Sequence, residues 1–156
     1  MKVLDLFSGC GGLSLGFEQA GFEIYGGIDN NPDAVNTFQI NFPNSIAILH
    51  DLNEIDIQQI LHQLPDVHDV EILIGGPPCQ GFSPGNRWTH ETDDERNRLF
   101  FSFVEFVELI QPKVVVIENV RQIITKNNGY AKERIYEIFE TRGYTVTHKI
   151  LDSSHY

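Results

Sequence analysis

Apolar and polar positions along the chain follow two alternating rhythms. Short, nearly unbroken apolar runs occur at "KVLDLF" (2–7), "FEIYGGID" (22–29), "SIAILHD" (45–51), "VEILIGG" (70–76), "KVVVIENV" (113–120) and "YTVTHKILD" (144–152). Each is short and reads as a strand, the last by alternation of apolar and polar residues. Between them lie stretches with helical spacing: "LSLGFEQAG" (13–21), "NPDAVNTFQINF" (31–42), residues 54–64, "RNRLFFSFVEFVELIQ" (96–111) and about 131–142. Asn31 followed by Pro32 predicts an N-cap and first helical position. Strand–helix alternation with apolar strands predicts a mostly parallel sheet buried on both faces, a doubly wound α/β fold. Ligands of such folds bind outside the carboxyl ends of the strands. The one long polar stretch, "SPGNRWTHETDDERN" (83–97), reads as a mobile surface loop. Loops that long in compact domains are more often functional than idle.

Bulk properties narrow the setting. The 156 residues make one domain, residues 1–156, and 41% of them are hydrophobic. No apolar run approaches the ~18 residues of a membrane span, and no signal peptide is evident, so no membrane partner is expected. The two cysteines, Cys10 and Cys79, are far apart and suggest no disulfide framework. A reducing, cytoplasmic setting follows as an expectation. The net charge of −11 repels polyanions. If the chain acts on nucleic acid, basic surface must come from elsewhere.

The polar residues worth attention fall at the predicted strand ends. Gly9, Gly11 and Gly12 follow the first strand, where backbone can approach a ligand and open a helix N-terminus toward it. An ordinary tight turn explains such loops about as often. Asp29 ends the second strand and could accept from ribose hydroxyls, or simply form a turn ahead of Asn31. Asp51 ends the third strand and could accept from an adenine amine, or be a solvated acid. Cys79 follows the fourth strand behind Pro77 and Pro78. A cysteine held at a strand mouth can serve as a nucleophile, although buried structural cysteine is the commoner fate. No C-x-x-C or Cys/His cluster accompanies it, which argues against zinc. Glu118 ends the fifth strand after "VVVI", where partial desolvation would suit a proton donor; a capping acid paired with Arg121 or Asn119 is the plainer alternative.

Taken in order and spacing, "DLFSGCGGLSLGF", "GGPPCQGFS" and "ENV" resemble the C5-cytosine DNA methyltransferases across essentially the whole chain. The resemblance implies a Rossmann-like domain that uses S-adenosyl-L-methionine, leaving S-adenosyl-L-homocysteine. Phe7, Gly9, Gly11, Gly12 and Leu13 then match the cofactor loop, and Asp29 the ribose-binding acid with Asn30 beside it. Asp51 and Leu52 would flank the adenine, while Pro78 and Leu99 would line the methionine side. Cys79 matches the nucleophile that adds to cytosine C6 and Glu118 the acid of the base pocket. Pro77, Gln80, Ser83, Asn119 and Val120 fall on the side of a cytosine flipped out of DNA, with the 83–97 loop closing over it.

Two departures stand out. Asp29 is shorter than the Glu usual at its position, and Asn30 replaces the residue that often stacks on adenine. The closing "LDSSHY" resembles the segment just before the family's Gly-Val-Pro-Gln and Gln-x-Arg-x-Arg motif. A target-recognition region, a last strand and a C-terminal part of the pocket are therefore expected on a complementary polypeptide, as part of a restriction–modification system. The other readings are a tRNA cytosine methyltransferase, which Gly81 after Pro-Pro-Cys-Gln disfavours, and an inactive remnant or subunit-interaction module.

Overall fold

The computed structural model describes residues 1–53, 60, 62–78 and 97–155. Its centre is a five-stranded parallel sheet in the order β3-β2-β1-β4-β5. The strands are β1 (Lys2–Leu6), β2 (Glu23–Asp29), β3 (Ile46–Leu49), β4 (Val70–Gly75) and β5 (Val114–Ile117). The helices are α1 (Gly12–Gln19), α2 (Pro32–Asn41), α3 (Arg98–Ile110), the short α4 (Gln122–Thr125) and α5 (Tyr130–Glu140). Strand order reverses at β1, where the chain leaves for β2 and β3 on one side and returns to β4 and β5 on the other. Among the described residues no helix is long and apolar enough to cross a membrane.

Alternating side chains split the core into two layers. Leu4, Leu6, Ile48 and Leu73 pack on one face against Phe100, Phe103 and Phe106 of α3 and Ile138 and Phe139 of α5. Val3, Ile72 and Ile74 pack on the other against Phe38 and Phe42 of α2, with Leu13 and Phe17 of α1. A register shift between Val3 and Leu4 against β2 inserts one extra residue into β2. Ile24 and Ile28 consequently lie in opposite layers although both positions are even.

Local chemistry accounts for the elements. Asn31 has extended backbone (φ −94, ψ 117) and its Oδ1 accepts from Asp33 N and Ala34 N, at 2.9 and 3.2 Å. Pro32 takes the first helical position, as predicted. Helix α3 turns Phe100, Phe103, Val104, Phe106, Val107 and Ile110 inward at helical spacing. Gln111 then adopts φ 53 and Pro112 stops continuation.

Two expectations change, and two others fall mainly outside the described residues. Residues 144–152 form no strand in the sheet. They are anchored by alternating side chains instead: Tyr144 Oη donates to Pro112 O (2.7 Å), Val146 packs on the core, and His148 Nδ1 lies 2.7 Å from Tyr136 Oη. Among the described residues no strand pairs with this segment. Strand β5 is likewise an edge and not a buried strand, with Val114 43% exposed. The helix expected over 54–64 lies mainly outside the described residues, where only Ile60 is helical and 62–64 form turns. Of 83–97, only Asn97 is described.

The first glycine of "GGPP" is required by strand spacing. A Cβ on Gly75 would stand 2.2 Å from the Leu6 carbonyl oxygen of β1 and 3.1 Å from the Phe103 ring. Neither a ladder backbone nor a fully buried ring yields easily. Gly75→Ala is therefore expected to lower unfolding free energy by about 1–3 kcal/mol or more, read as a lower urea midpoint at unchanged slope.

Candidate functional site

Parallel strands deliver their carboxyl ends to one edge, and the predicted polar residues collect there. The loop after β1 begins with Phe7 at φ 63, a left-handed conformation that is an outlier for a bulky residue and typical of functional turns. Ser8 N donates to Ile28 O (3.1 Å) and Gly11 N to Ser8 O (2.9 Å), which curls the loop back over β2. Gly11, at φ 90, has no room for a side chain, since a Cβ would meet the Phe42 ring at 2.3 Å. A Cβ on Gly9 or Gly12 would meet nothing within 4 Å. The loop thus has a packed floor and an open roof.

Helix α1 opens from this loop with no side-chain cap from Gly11. Asp5, inside β1, supplies the cap from beneath. Ser14 Oγ donates to Asp5 Oδ2 at 2.6 Å, and the Ser14 backbone N–H donates to the same carboxyl. Asp5 is 1% exposed and Ser14 fully buried. Burial raises the Asp5 pKa from 3.8 to about 7, partly offset by the two Ser14 hydrogen bonds, with the nearby Asp29 charge pushing the same way as burial.

Asp29 closes the loop from β2. Its Oδ2 accepts from Gly9 N (2.8 Å) and its Oδ1 from Asn31 N (2.9 Å). It is thus a turn residue that keeps acceptor capacity to spare, because an ionised carboxylate has about four acceptor positions. Asn30 beside it is exposed. Beyond β3, His50 N donates to Asp29 O (3.0 Å), and Asp51 Oδ1 accepts from Asn53 N (2.9 Å), forming a tight turn over 51–53. Leu52 is 2% exposed and shares the core layer of half-buried Leu99 on α3.

The other half of the edge belongs to β4 and β5. Asn119 Nδ2 donates to Pro77 O at 2.8 Å, and Asn119 Oδ1 accepts from Val120 N at 3.0 Å. Glu118 N donates to Gly75 O (3.0 Å), and Glu118 Oε2 lies 3.2 Å from the position a Gly76 Cβ would take. The second glycine of "GGPP" therefore leaves room for a carboxylate. Glu118 is exposed, contrary to the desolvation expected from its strand, because that strand is a half-covered edge. Pro77 is buried, Pro78 half-buried and Val120 63% exposed. Cys79, Gln80 and Ser83 lie outside the described residues. Cys10, which had no assigned role, is exposed.

Asp5, Ser14 and Ser102, whose Oγ donates to Leu52 O at 2.7 Å, brace this edge and were not singled out from sequence. For Asp5 a signal was present: an acid in the middle of an apolar strand needs a buried partner. Ser14 and Ser102 stand in ordinary amphipathic helices, where one serine carries no such mark.

The arrangement is that of a doubly wound α/β domain whose polar groups meet on one edge around the point where strand order reverses. Residues 1–156 match the model of the C-5 cytosine-specific DNA methylase family, and the chain belongs to that family. It is 40% identical over 155 residues to the type II methyltransferase M1.HphI of Haemophilus parahaemolyticus, covering 99% of this chain and 41% of that protein. It is 42% identical over 160 residues to M.DdeI of Desulfomicrobium norvegicum, covering 100% of this chain and 37% of that protein. M.HgiGI of Herpetosiphon aurantiacus is 42% identical over 124 residues, 78% of this chain and 92% of that protein. Among solved structures, one from E. coli assigned as a DNA modification methyltransferase encoded within a prophage superposes with TM-score 0.72 at 34% identity. That match covers 90% of this chain and 38% of the other. The S. pombe Dnmt2 methyltransferase shares the fold, with TM-score 0.67 at 23% identity over 93% of this chain and 41% of its own. The chain thus spans about two fifths of the length of M1.HphI and M.DdeI.

The Asp5 cap generates a pH prediction. Between pH 3.8 and about 7 the folded chain holds a proton on Asp5 that the unfolded chain releases. Stability from this group is full below the unfolded value and is lost as pH rises through about 7. Asp5→Asn keeps an acceptor for Ser14 and has no such titration. Relative to the parent, it should gain stability from pH 4 to 7, by at most about 4 kcal/mol, measured by urea unfolding at successive pH values.

Proposed function

We propose that this chain is the cofactor-binding and catalytic half of a DNA cytosine-C5 methyltransferase of the restriction–modification type, acting on DNA with a complement that supplies target recognition. The observation that carries this reading is the gathering of Asp29, Asp51, Pro77–Pro78 and Glu118 on one sheet edge in a chain of this family.

The edge fits S-adenosyl-L-methionine. Gly9 and Gly12 leave open space above the loop, and the Asp29 carboxylate retains acceptor positions for ribose hydroxyls. In this reading Phe7, Gly9, Gly11, Gly12 and Leu13 hold the cofactor from below, with Asp29 and Asn30 at the ribose. Asp51 and Leu52 flank the adenine, and Pro78 and Leu99 face the methionine side. When bound, the cofactor supplies an electrophilic sulfonium methyl group.

The residues of the other half activate the base. Cytosine C5 is a poor nucleophile until the ring is made electron-rich. The Cys79 thiolate bonds to C6 while Glu118 passes a proton to N3, and the ring electrons move to C5. After C5 has taken the methyl group, a base removes its proton, the Cys79–C6 bond breaks, and N3 returns its proton. The target base must leave the duplex to reach this edge. By family resemblance, Gln80, Ser83 and Val120 are assigned to the side of the flipped base in this reading. The Pro77 carbonyl accepts from the cytosine amine, and Asn119 holds that carbonyl in place.

The structural support for a complement is the state of β5, whose described partner is β4 alone. Tyr144 Oη donates to Pro112 O, just ahead of β5, at 2.7 Å. Among the described residues the side of β5 away from β4 pairs with no strand, and it is where one further strand would add. In this reading the complement supplies that strand, closing an edge that would otherwise invite non-specific pairing.

The deciding experiment mixes the chain, S-adenosyl-L-methionine and duplex DNA carrying 5-fluorocytosine, with and without the polypeptide encoded directly downstream. Fluorine cannot leave as a proton does, so turnover traps a denaturant-resistant adduct. An adduct that requires the downstream chain and is lost in Cys79→Ser establishes the reading. Cofactor binding without any adduct overturns the catalytic part. Asn119→Ala should slow adduct formation by about 10- to 100-fold with little change in unfolding midpoint, because a carbonyl shifted by a fraction of an ångström disturbs alignment at the reacting base.

A further inference from the structure

We propose that Ser102 is a positioning residue for the adenine end of the cofactor pocket, acting through Leu52. This rests on the cofactor reading above. Ser102 Oγ lies 2.7 Å from the Leu52 carbonyl oxygen and 3.0 Å from the Arg98 carbonyl oxygen one turn back on α3. A hydroxyl has one proton to donate, and the shorter contact has first claim on it. Helical serines commonly return their hydroxyl to their own i−4 carbonyl. This one reaches across the fold to a loop 50 residues away in sequence.

Burial gives the contact its importance. Ser102 is 3% exposed and Leu52 is 2% exposed, so water offers little substitute at either end. The other buried residues of α3 are all apolar. A hydroxyl on such a face is costly unless it is bonded.

The contact has a direct geometric consequence at the site. Leu52 is the middle of the turn that Asp51 Oδ1 and Asn53 N close at 2.9 Å. Fixing the Leu52 carbonyl fixes the 52–53 peptide plane, and with it the direction from which Asp51 presents its carboxylate. The same helix carries Leu99, about one turn earlier, in the core layer that contains Leu52. Ser102 therefore sets the spacing between the adenine wall and the methionine wall of one pocket. The Asp29 carboxylate stands on a different support, the N–H groups of Gly9 and Asn31, and its side-chain hydrogen bonds are independent of this strut.

That independence separates a positioning role from general stabilisation. The affinity for S-adenosyl-L-homocysteine would be measured by calorimetry, for the chain alone and mixed with the downstream polypeptide. The proteins are the parent, Ser102→Ala, Asp51→Ala, Asp29→Ala, and the two doubles that pair Ser102→Ala with each acid. Loss of one buried hydrogen bond should weaken binding about tenfold in Ser102→Ala. Added to Asp51→Ala it should weaken binding by no more than about twofold further, while added to Asp29→Ala its effect should multiply in full. Parental affinity in Ser102→Ala overturns the proposal and leaves the cofactor reading standing. So does a Ser102→Ala effect that multiplies equally with both acids, which marks a purely structural tie. Absence of binding by the parent in both mixtures overturns the cofactor reading and this proposal together.

Discussion

Parallel hydrogen bonding among five strands is the constraint on which the rest of the molecule depends. In an antiparallel sheet successive strand ends alternate between two edges, and Asp29, Asp51, Pro77 and Glu118 would be scattered. Here every strand runs the same way, so each ends on the same edge and passes its chain into that edge's loops. The price of the arrangement is that both faces must be covered, which α1 and α2 do on one side and α3 and α5 on the other.

The glycines of this chain show how closely that sheet is built to its site. Gly75 exists for the sheet, because any side chain there would strike the β1 backbone. Gly76, the next residue, lets Glu118 fold over the chain. Gly11 is a floor residue pressed on Phe42, while Gly9 and Gly12 face open space. Adjacent residues of one type thus divide between strand spacing, loop packing and an open loop surface. The loop they form is held from below by a buried acid, Asp5, and from the side by Asp29. Its shape therefore rests on side chains from two strands and not on the loop alone.

Much of this was legible in the chain itself. Five of the strands, the Asn31 cap and the apolar stripe of α3 follow from short-range patterns: apolar runs, helical periodicity and capping chemistry. Asp29 and Asp51 were legible as acids closing apolar strands, and the structure puts both on the carboxyl edge of the sheet. The sixth strand failed for a reason no local pattern contains. "YTVTHKILD" has strand-like alternation, and its alternate residues do anchor to the core and to α5, but a ladder needs a neighbouring backbone. Glu118 was misjudged for the related reason that the apolarity of β5 suits a buried strand while its position is an edge.

The sequence by itself determined the class of fold, the order of its elements, the family and the identity of the residues gathered at the strand ends. All of these are encoded by residue type and short spacing. Only the tertiary structure decided which groups hold those residues in place: Ser14 on Asp5, Gly9 on Asp29, Asn119 on Pro77 and Ser102 on Leu52. These contacts join residues 9 to 50 positions apart. Their partners are ordinary serines, glycines and asparagines, chosen by the geometry of packed helices and strands, and that geometry exists only once the chain has folded.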